Sequence, residues 1–173
     1  MLSFILIALI RVSVIECYLH HLEKDYEACS PWIYHMKFKK CYKKFCSDRY
    51  YFDAELLCKR LGGQLVTICS EEENYFVAML SRFHMSGDGP ITDRFTWIGL
   101  RLDDVFKPWY WRDGSKCPFR KWASGEPTFL FDNYAALATV YRNQYDQWYG
   151  ATNLWGGKAM CEIKDCTIDK LGV

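Results

Sequence analysis

Cysteine is the residue that most constrains how this chain can fold. Nine cysteines occur among its 173 residues, and Cys17 lies in an apolar segment that we expect to be removed as a signal peptide. An even number then remains, which is typical of a disulfide framework in an oxidising compartment. No CxxC pair occurs and the four histidines do not stand at zinc-finger spacing, which disfavours zinc. The remaining cysteines are Cys29, Cys41, Cys46, Cys58, Cys69, Cys117, Cys161 and Cys166.

The N-terminal segment predicts a secreted, extracellular protein. Residues 1–10 are apolar except for Ser3, and the apolar run resumes after Arg11. The run is too short and too interrupted to span a bilayer, which needs about 20 apolar residues. We therefore predict a signal peptide at 1–17, a polar leader at 18–28 and no transmembrane anchor. Cleavage before Cys17 would instead leave an odd thiol, a candidate for a covalent homodimer.

Composition narrows the class of protein further. Half of the residues are apolar, 17% are aromatic and the formal net charge is +1. These values exclude a disordered chain, and they argue against a general nucleic-acid partner, which would require a basic surface. The length suits one domain with one core, and no internal repeat or Pro-rich linker divides it.

Two helices are predicted in the N-terminal half. The first carries apolar residues at helical spacing from Ala54 to Leu61, and Gly62-Gly63 follows where a helix C-cap favours positive φ. A short buried strand at 65–68 comes next. Ser70 and Glu73 then form a capping box that opens the second helix, which the turn residues at 86–90 end. Its predicted apolar face consists of Phe76, Met79, Leu80 and Phe83.

The C-terminal half predicts short strands and long loops. Aromatic and β-branched residues favour strands at 95–102, 109–111, 134–141 and 158–163, and a further strand at 38–45 precedes the helices. The fold class is therefore α+β, with two helices, short antiparallel sheets and a long loop region. Lysines in and just before the strand at 38–45 could bind an anionic ligand, but we interpret them as a solvated face. These are Lys37, Lys39, Lys40, Lys43 and Lys44.

In their order along the chain, several motifs resemble the C-type lectin-like domain over residues 29–166, leaving 167–173 as a C-terminal tail. They are Ala54 with Cys58, Leu-Gly-Gly-x-Leu-Val-x-Ile at 61–68, 70–74, Trp-Ile-Gly-Leu at 97–100, Trp111 with Asp-Gly-Ser at 113–115, Trp122, Gly-Glu-Pro at 125–127, and Cys161-Glu162.

The resemblance implies several covalent and conformational features. It implies a long-form domain with a Cys29–Cys41 hairpin disulfide, a Cys58–Cys161 disulfide and a cis bond before Pro127. The remaining cysteines (Cys46, Cys69, Cys117 and Cys166) then allow three pairings, which stay open.

The same resemblance implies a degenerate calcium and sugar site. Calcium-dependent members present an amide or acid beside Glu-Pro, a second acid and a Trp-Asn-Asp strand, because calcium takes six to eight oxygen ligands. Here Glu126 and Asp132 remain as a remnant, but Thr128 replaces the amide, and Tyr149 and Gly150 follow Trp148. Asp146 or Asn153 are the substitutes that the chain offers. We therefore predict no cofactor and no metal ligation.

An aromatic segment in the long loop is the sharpest functional clue. Phe129 and Phe131 lie where ligand-binding members are polar, with Trp148, Tyr149 and Trp155 following. These rings either fill space left by an absent loop disulfide or form an exposed patch that binds a ligand. The ligand-binding candidates are Glu126, Thr128, Phe129, Phe131, Asp132, Trp148 and Tyr149. We assign Trp97, Trp111 and Trp122 to the core.

We interpret the chain as a binding protein and not as an enzyme. No nucleophile with a neighbouring base is evident, and Glu162 is expected to be a strand residue facing solvent. The leading hypothesis is a secreted C-type lectin-like protein of immune recognition that binds an extracellular glycan or protein without calcium. One alternative is a carbohydrate-binding lectin with a rebuilt or weak calcium site, and another is a structural or oligomerising partner.

Overall fold

The structure is a computed structural model. It describes residues 29–82, 94–103, 108–128, 132–139 and 145–167. The predicted signal peptide at 1–17 and the leader at 18–28 lie outside these ranges, as does the tail beyond Thr167. None of the helices within the described ranges is long and apolar enough to cross a membrane.

One sheet organises the described residues, and it confirms the α+β prediction. Its strand order is β1-β2-β8-β4-β6-β7, with β3 added to β8 and β5 to β4. The sheet is mixed, because β4 and β8 pair in parallel while the other pairs are antiparallel. The strands are β1 Ile33–His35, β2 Lys40–Arg49, β3 Gln64–Leu65, β4 Phe95–Arg101, β5 Tyr110–Trp111, β6 Tyr134–Ala138, β7 Trp148–Ala151 and β8 Gly157–Lys164.

The core lies on both faces of this sheet. Trp97 of β4 packs with the residues around the first helix, whereas its neighbour Ile98 packs with those around the second. Successive side chains of a strand point to opposite faces, so a strand covered on both sides loses the alternation of apolar and polar residues. This is why β4, β6 and β7 are almost wholly buried.

Helix α1 (Tyr51–Arg60) is the first predicted helix; it begins three residues before the predicted apolar spacing and ends just before the predicted glycines. Ala54, Leu57 and Cys58 are on its buried face. The chain leaves the helix through Gly62 at φ 75°. At Gly63 a Cβ would lie 2.4 Å from the carbonyl oxygen of Glu162, so only glycine lets the chain pass so close to β8.

Helix α2 (Glu71–Ser81) begins at the predicted N-cap, where the Ser70 hydroxyl accepts a hydrogen bond from the Glu73 N–H. The reciprocal bond differs from a capping box, because the Glu73 carboxylate accepts from the Cys69 N–H. The predicted apolar face is partly wrong. Val77, Ala78 and Leu80 are buried, Phe76 is half-buried and Met79 is exposed, while Phe83 lies outside the described residues.

Four disulfides connect the eight cysteines, and one predicted pairing is wrong. The Cys58–Cys161 pair is confirmed and joins α1 to β8. Cys29 does not pair with Cys41: its N–H donates to the carbonyl of Lys44, which places it beside Cys46, its disulfide partner. The observed bonds are Cys29–Cys46, Cys41–Cys166, Cys58–Cys161 and Cys69–Cys117.

The basic run is only partly a solvated face, and this corrects a second prediction. Lys37 and Lys39 are exposed and Lys43 is half-buried, but the other two lysines are turned inward. Lys44 is fully buried, and its ammonium donates to the carbonyl of Ser81 at 2.6 Å, where the last carbonyls of α2 need partners. Lys40 is mostly buried and its ammonium lies between two carboxylates, those of Glu73 and Glu162. Of the run, Lys37 is well exposed and pairs with Glu72.

Glu162 is also contrary to expectation, because it is fully buried and does not face solvent. Its carboxylate lies 2.9 Å from the ammonium of Lys40, which also donates to Glu73 at 2.7 Å and to the Thr67 carbonyl at 2.8 Å. Gln64 donates to the same carboxylate at 2.8 Å. In this Lys40 cluster the ammonium thus donates two hydrogen bonds and forms an ion pair with the Glu162 carboxylate.

Burial lowers the pKa of Lys40, but Glu162 and Glu73 raise it more, so the net pKa lies above the ordinary value. Burial raises the pKa of Glu162, and Lys40 opposes that rise. A lysine with a raised folded-state pKa stabilises the protein fully below its unfolded pKa. Its contribution is lost as the pH rises through the folded value, so we expect Lys40 to be charged and to stabilise the fold at neutral pH.

Substitution of Lys40 by Met should be strongly destabilising. It leaves Glu73 and Glu162 buried without their cation, which costs about 3–5 kcal/mol in the free energy of unfolding. Glu162→Gln keeps the Lys40–Glu73 pair and should cost about 1–3 kcal/mol. Urea unfolding measures both, with Lys37→Met as an exposed control expected to change stability by under about 1 kcal/mol. A K40M protein as stable as the control would contradict the assignment.

Removal of the Cys58–Cys161 bond should cost more than removal of Cys29–Cys46. The sequence separations are 103 and 17 residues, for which loop-closure entropy gives roughly 4.7 and 3 kcal/mol. Paired Cys→Ala variants, unfolded in urea without reductant, test this order. Equal losses would indicate that native-state packing, and not loop length, dominates.

Candidate functional site

Glu126 lies just before the aromatic segment of the long loop, and its carboxylate forms a hydrogen bond within the protein. The Glu126–Pro127 bond is cis, as the family resemblance implies. One carboxylate oxygen of Glu126 accepts a hydrogen bond from the Gly150 N–H at 3.0 Å, which connects this loop to β7. The remnant acid therefore bonds to the protein backbone at the place where the resemblance expects a metal ligand.

Asp132 and Gly150 share one small space. A Cβ built on Gly150 would lie 2.6 Å from the Cβ of Asp132, so a side chain at position 150 cannot coexist with this arrangement. The Asp132 carboxylate also accepts a hydrogen bond from the Thr128 hydroxyl. The structure thus brings Glu126, Thr128, Asp132 and β7 together. Their polar groups form hydrogen bonds with one another.

The two substitute ligands lie elsewhere. Asp146 is 3.0 Å from the ammonium of Lys121. The amide oxygen of Asn153 accepts from the Phe52 N–H at the start of α1. Within the described ranges, no group of three or more His, Cys, Asp or Glu side chains could hold a metal ion. Calcium prefers six to eight oxygen ligands, and Glu126 with Asp132 supplies few of them.

Two of the aromatic candidates are core residues in the structure. Trp148 is fully buried, its Nε1–H donates to the Asn74 amide oxygen at 2.7 Å, and its ring packs edge-on against Trp111. Tyr149 is almost as buried and packs on Phe95. Neither ring is available at the surface. Phe129 and Phe131 lie outside the described residues.

Of the three tryptophans assigned to the core, two are fully buried and one is half-buried. Trp97 and Trp111 are buried, and Trp97 donates from its indole N–H to the carbonyl of Arg49. Trp122 is half-buried and bridges to the strand of Trp148. Trp155, by contrast, is half exposed, next to the strongly exposed Leu154.

A second surface, which none of the motifs predicts, lies beside α1. A groove of about 530 Å³ runs between the outer face of α1 and the turn that precedes β8. Leu56 and Leu57 of α1, Tyr50 before it, and Leu154 in the turn contribute apolar lining. We refer to this surface as the α1 groove. The sequence signal that could have predicted it is the helical spacing of the exposed residues in α1.

Substitution of Trp148 by Phe should reduce stability. It leaves the buried Asn74 oxygen without its donor, which costs about 1–3 kcal/mol in the free energy of unfolding. The matched control is Trp155→Phe, where the half-exposed ring should change stability by less than about 0.5 kcal/mol. Thermal or urea unfolding compares the two. A Trp148→Phe protein as stable as its control would show that the bond does not hold β7 to α2.

Comparison with known proteins agrees with this architecture. The model of the "Lectin C-type domain" family matches residues 47–163. The C-type lectin lectoxin-Lio1 of Erythrolamprus poecilogyrus is 36% identical over 115 residues, which cover 62% of this chain and 66% of that protein. The match thus spans slightly under two thirds of the relative's own length.

Solved structures share the fold. The crystal structure of human lithostathine superposes with a TM-score of 0.65 at 22% identity, covering 80% of this chain and 89% of that one. A calcium-independent type II antifreeze protein superposes with a TM-score of 0.63 at 20% identity, covering 78% and 92%. The family match covers more than half of the chain and agrees with the fold, so the chain belongs to the C-type lectin domain family.

Proposed function

We propose that this protein is a secreted recognition protein that binds an extracellular glycan or protein ligand without calcium, in host defence. Family membership supports ligand binding, and four disulfides support an oxidising, extracellular compartment. The proposal is for binding and not for catalysis. Glu162, the carboxylate next to Cys161, forms an ion pair with Lys40 inside the core. Its side chain is fully buried and therefore not accessible to a substrate.

The observation that carries calcium independence is the space shared by Asp132 and Gly150. A metal-binding side chain at position 150 would collide with Asp132. Glu126 meanwhile bonds to the Gly150 N–H, so metal binding would have to break that bond. The fold itself does not demand calcium, since the antifreeze protein that shares it is calcium-independent.

Calorimetric titration of the purified protein with calcium tests the metal part of the proposal. We expect no saturable heat, because the remnant carboxylates lack the oxygens to replace calcium's hydration shell. Binding to a glycan panel should be the same with calcium and with chelator. Saturable calcium binding together with chelator-sensitive sugar binding would instead support a calcium-dependent lectin.

The same panel, extended to extracellular proteins, tests the aromatic segment. We expect the double substitution Phe129→Ser and Phe131→Ser to weaken ligand binding by about tenfold or more, because aromatic anchors dominate binding sites. Met36→Ser, at a strongly exposed position on the β1–β2 turn, is the control. Undiminished binding by a folded double variant would mean that these rings fill space and do not contact the ligand.

A further inference from the structure

A cleft of about 350 Å³ lies beside β5, away from the α1 groove. Its described lining comes from two segments, 108–111 and 114–118, and from Arg120. Ligand pockets in proteins begin at about 300 Å³, so this cleft has room for a ligand the size of one sugar ring. We refer to it as the β5 cleft.

The two walls of the β5 cleft are fixed in place. On one side, β5 pairs with β4 of the central sheet. On the other side, the Cys69–Cys117 disulfide joins the second segment to the chain just before α2. The indole N–H of Trp111 donates to the Cys117 carbonyl at 3.2 Å and so connects the two walls. A cleft with fixed walls loses little conformational entropy when a ligand binds.

Arg120 brings a positive charge to the cleft that none of its described partners neutralises. Its guanidinium donates three hydrogen bonds, all to carbonyl oxygens, which are those of Trp109, Cys117 and Phe119. A guanidinium has five N–H donors, so two of them have no acceptor among the described residues. Burial lowers the pKa of Arg120, as expected for a cation without a neighbouring carboxylate.

Lys116 adds a second positive charge, and it is exposed. Two described acids flank the cleft in the sequence, but each pairs with a cation elsewhere. Asp113 forms an ion pair with Lys164, and Asp103 forms one with Arg101. None of the described lining residues is acidic. The cleft therefore favours a ligand that carries a negative charge.

Flat apolar side chains form much of the remaining lining. The rings of Trp109 and Tyr110 are half-buried, and Pro108 and Pro118 are exposed. Trp109 packs edge-on against Trp122, with 4.7 Å between the ring centroids, which fixes its orientation. Flat apolar surfaces of this kind pack well against another ring. The cleft thus combines a surface for a ring with two cations for an anionic group.

From these observations we propose that the β5 cleft binds an anionic sugar. The sugar ring packs against Trp109 and Tyr110, and its sulfate or carboxylate group accepts hydrogen bonds from Lys116 and Arg120. Both anionic groups are recognised by the same chemistry, which is charge-assisted hydrogen bonding from ammonium and guanidinium N–H donors. That the ring is a sugar rests on the glycan binding proposed above, but these four residues differ from the ligand-binding candidates tested there.

NMR titration of the intact purified protein tests the ligand class. The ligands are sulfated N-acetylglucosamine, glucuronate, neutral N-acetylglucosamine and inorganic sulfate. We expect an anionic sugar to shift the indole N–H signals of Trp109 and Trp111 and to bind at least about fivefold more tightly than the neutral sugar or inorganic sulfate, because only the anionic sugar contacts both the rings and the cations. The tighter of the two anionic sugars identifies the anionic group.

Three results of this titration would overturn the proposal. Equal binding of the neutral sugar would show that the cations do not contact the ligand. Equal binding of inorganic sulfate would show that the rings do not. Anionic sugars that leave both indole signals unshifted would place any binding outside the β5 cleft.

Substitution of Lys116 tests the site itself, and its exposure means that the variants should fold. Lys116→Met should weaken binding of the anionic sugar about threefold to fivefold, and Lys116→Glu about tenfold or more, because a like charge then faces the anionic group. Lys37→Met removes the same charge from an exposed position on the β1–β2 turn and should leave binding unchanged. Undiminished binding by Lys116→Glu overturns the proposal.

The same measurements separate this inference from the function proposed above. A protein that binds glycans on the panel, but is insensitive to sulfate, to carboxylate and to Lys116→Glu, keeps the proposed function and overturns the assignment of the β5 cleft. Anionic-sugar binding that Lys116→Glu abolishes supports the cleft, even if the double substitution of Phe129 and Phe131 changes nothing. A protein that binds no ligand of the panel and no anionic sugar overturns both.

Discussion

The buried Lys40 cluster is the interaction on which most of the framework depends. One ammonium joins strand β2 to α2 through Glu73, to β8 through Glu162 and to the segment after β3 through the Thr67 carbonyl. Charges so deeply buried are tolerated only when every partner is in place. Tyr42 adds a hydrogen bond to Glu73, and burial together with that acid raises the pKa of the Tyr42 hydroxyl well above its usual range. The cluster thus fixes the register of elements that the disulfides then secure.

Sequence patterns predicted the parts of the fold that local physics determines. The spacing of Ala54, Leu57 and Cys58 and the N-cap at Ser70 were enough to find both helices, because helices and caps depend on near neighbours. They could not predict the burial of Lys40 or Glu162. A charged residue on a strand is predicted to face solvent unless its partner is known. Here Lys40 and its partners, Glu73 and Glu162, are far apart in the sequence.

The candidate site shows the same division between local and distant information. The sequence correctly gathered Glu126, Thr128 and Asp132, since the loop that carries them is one continuous segment. It misplaced Trp148, because β7 is covered on both faces and the usual alternation of buried and exposed residues disappears. The collision between a side chain at Gly150 and Asp132 is a contact between separate segments, which no pattern within either segment encodes.

The two faces of helix α1 differ, because one is buried against the sheet and the other is exposed. Cys58 and Leu57 fix its inner face to β8 and the core, so the helix is tied to the sheet independently of its exposed face. A rigid surface loses little conformational entropy when it associates, and more of its contact energy then appears as affinity. The disulfide that stabilises the domain therefore also pre-organises the outer face, where Asp53, Leu56 and Arg60 are displayed.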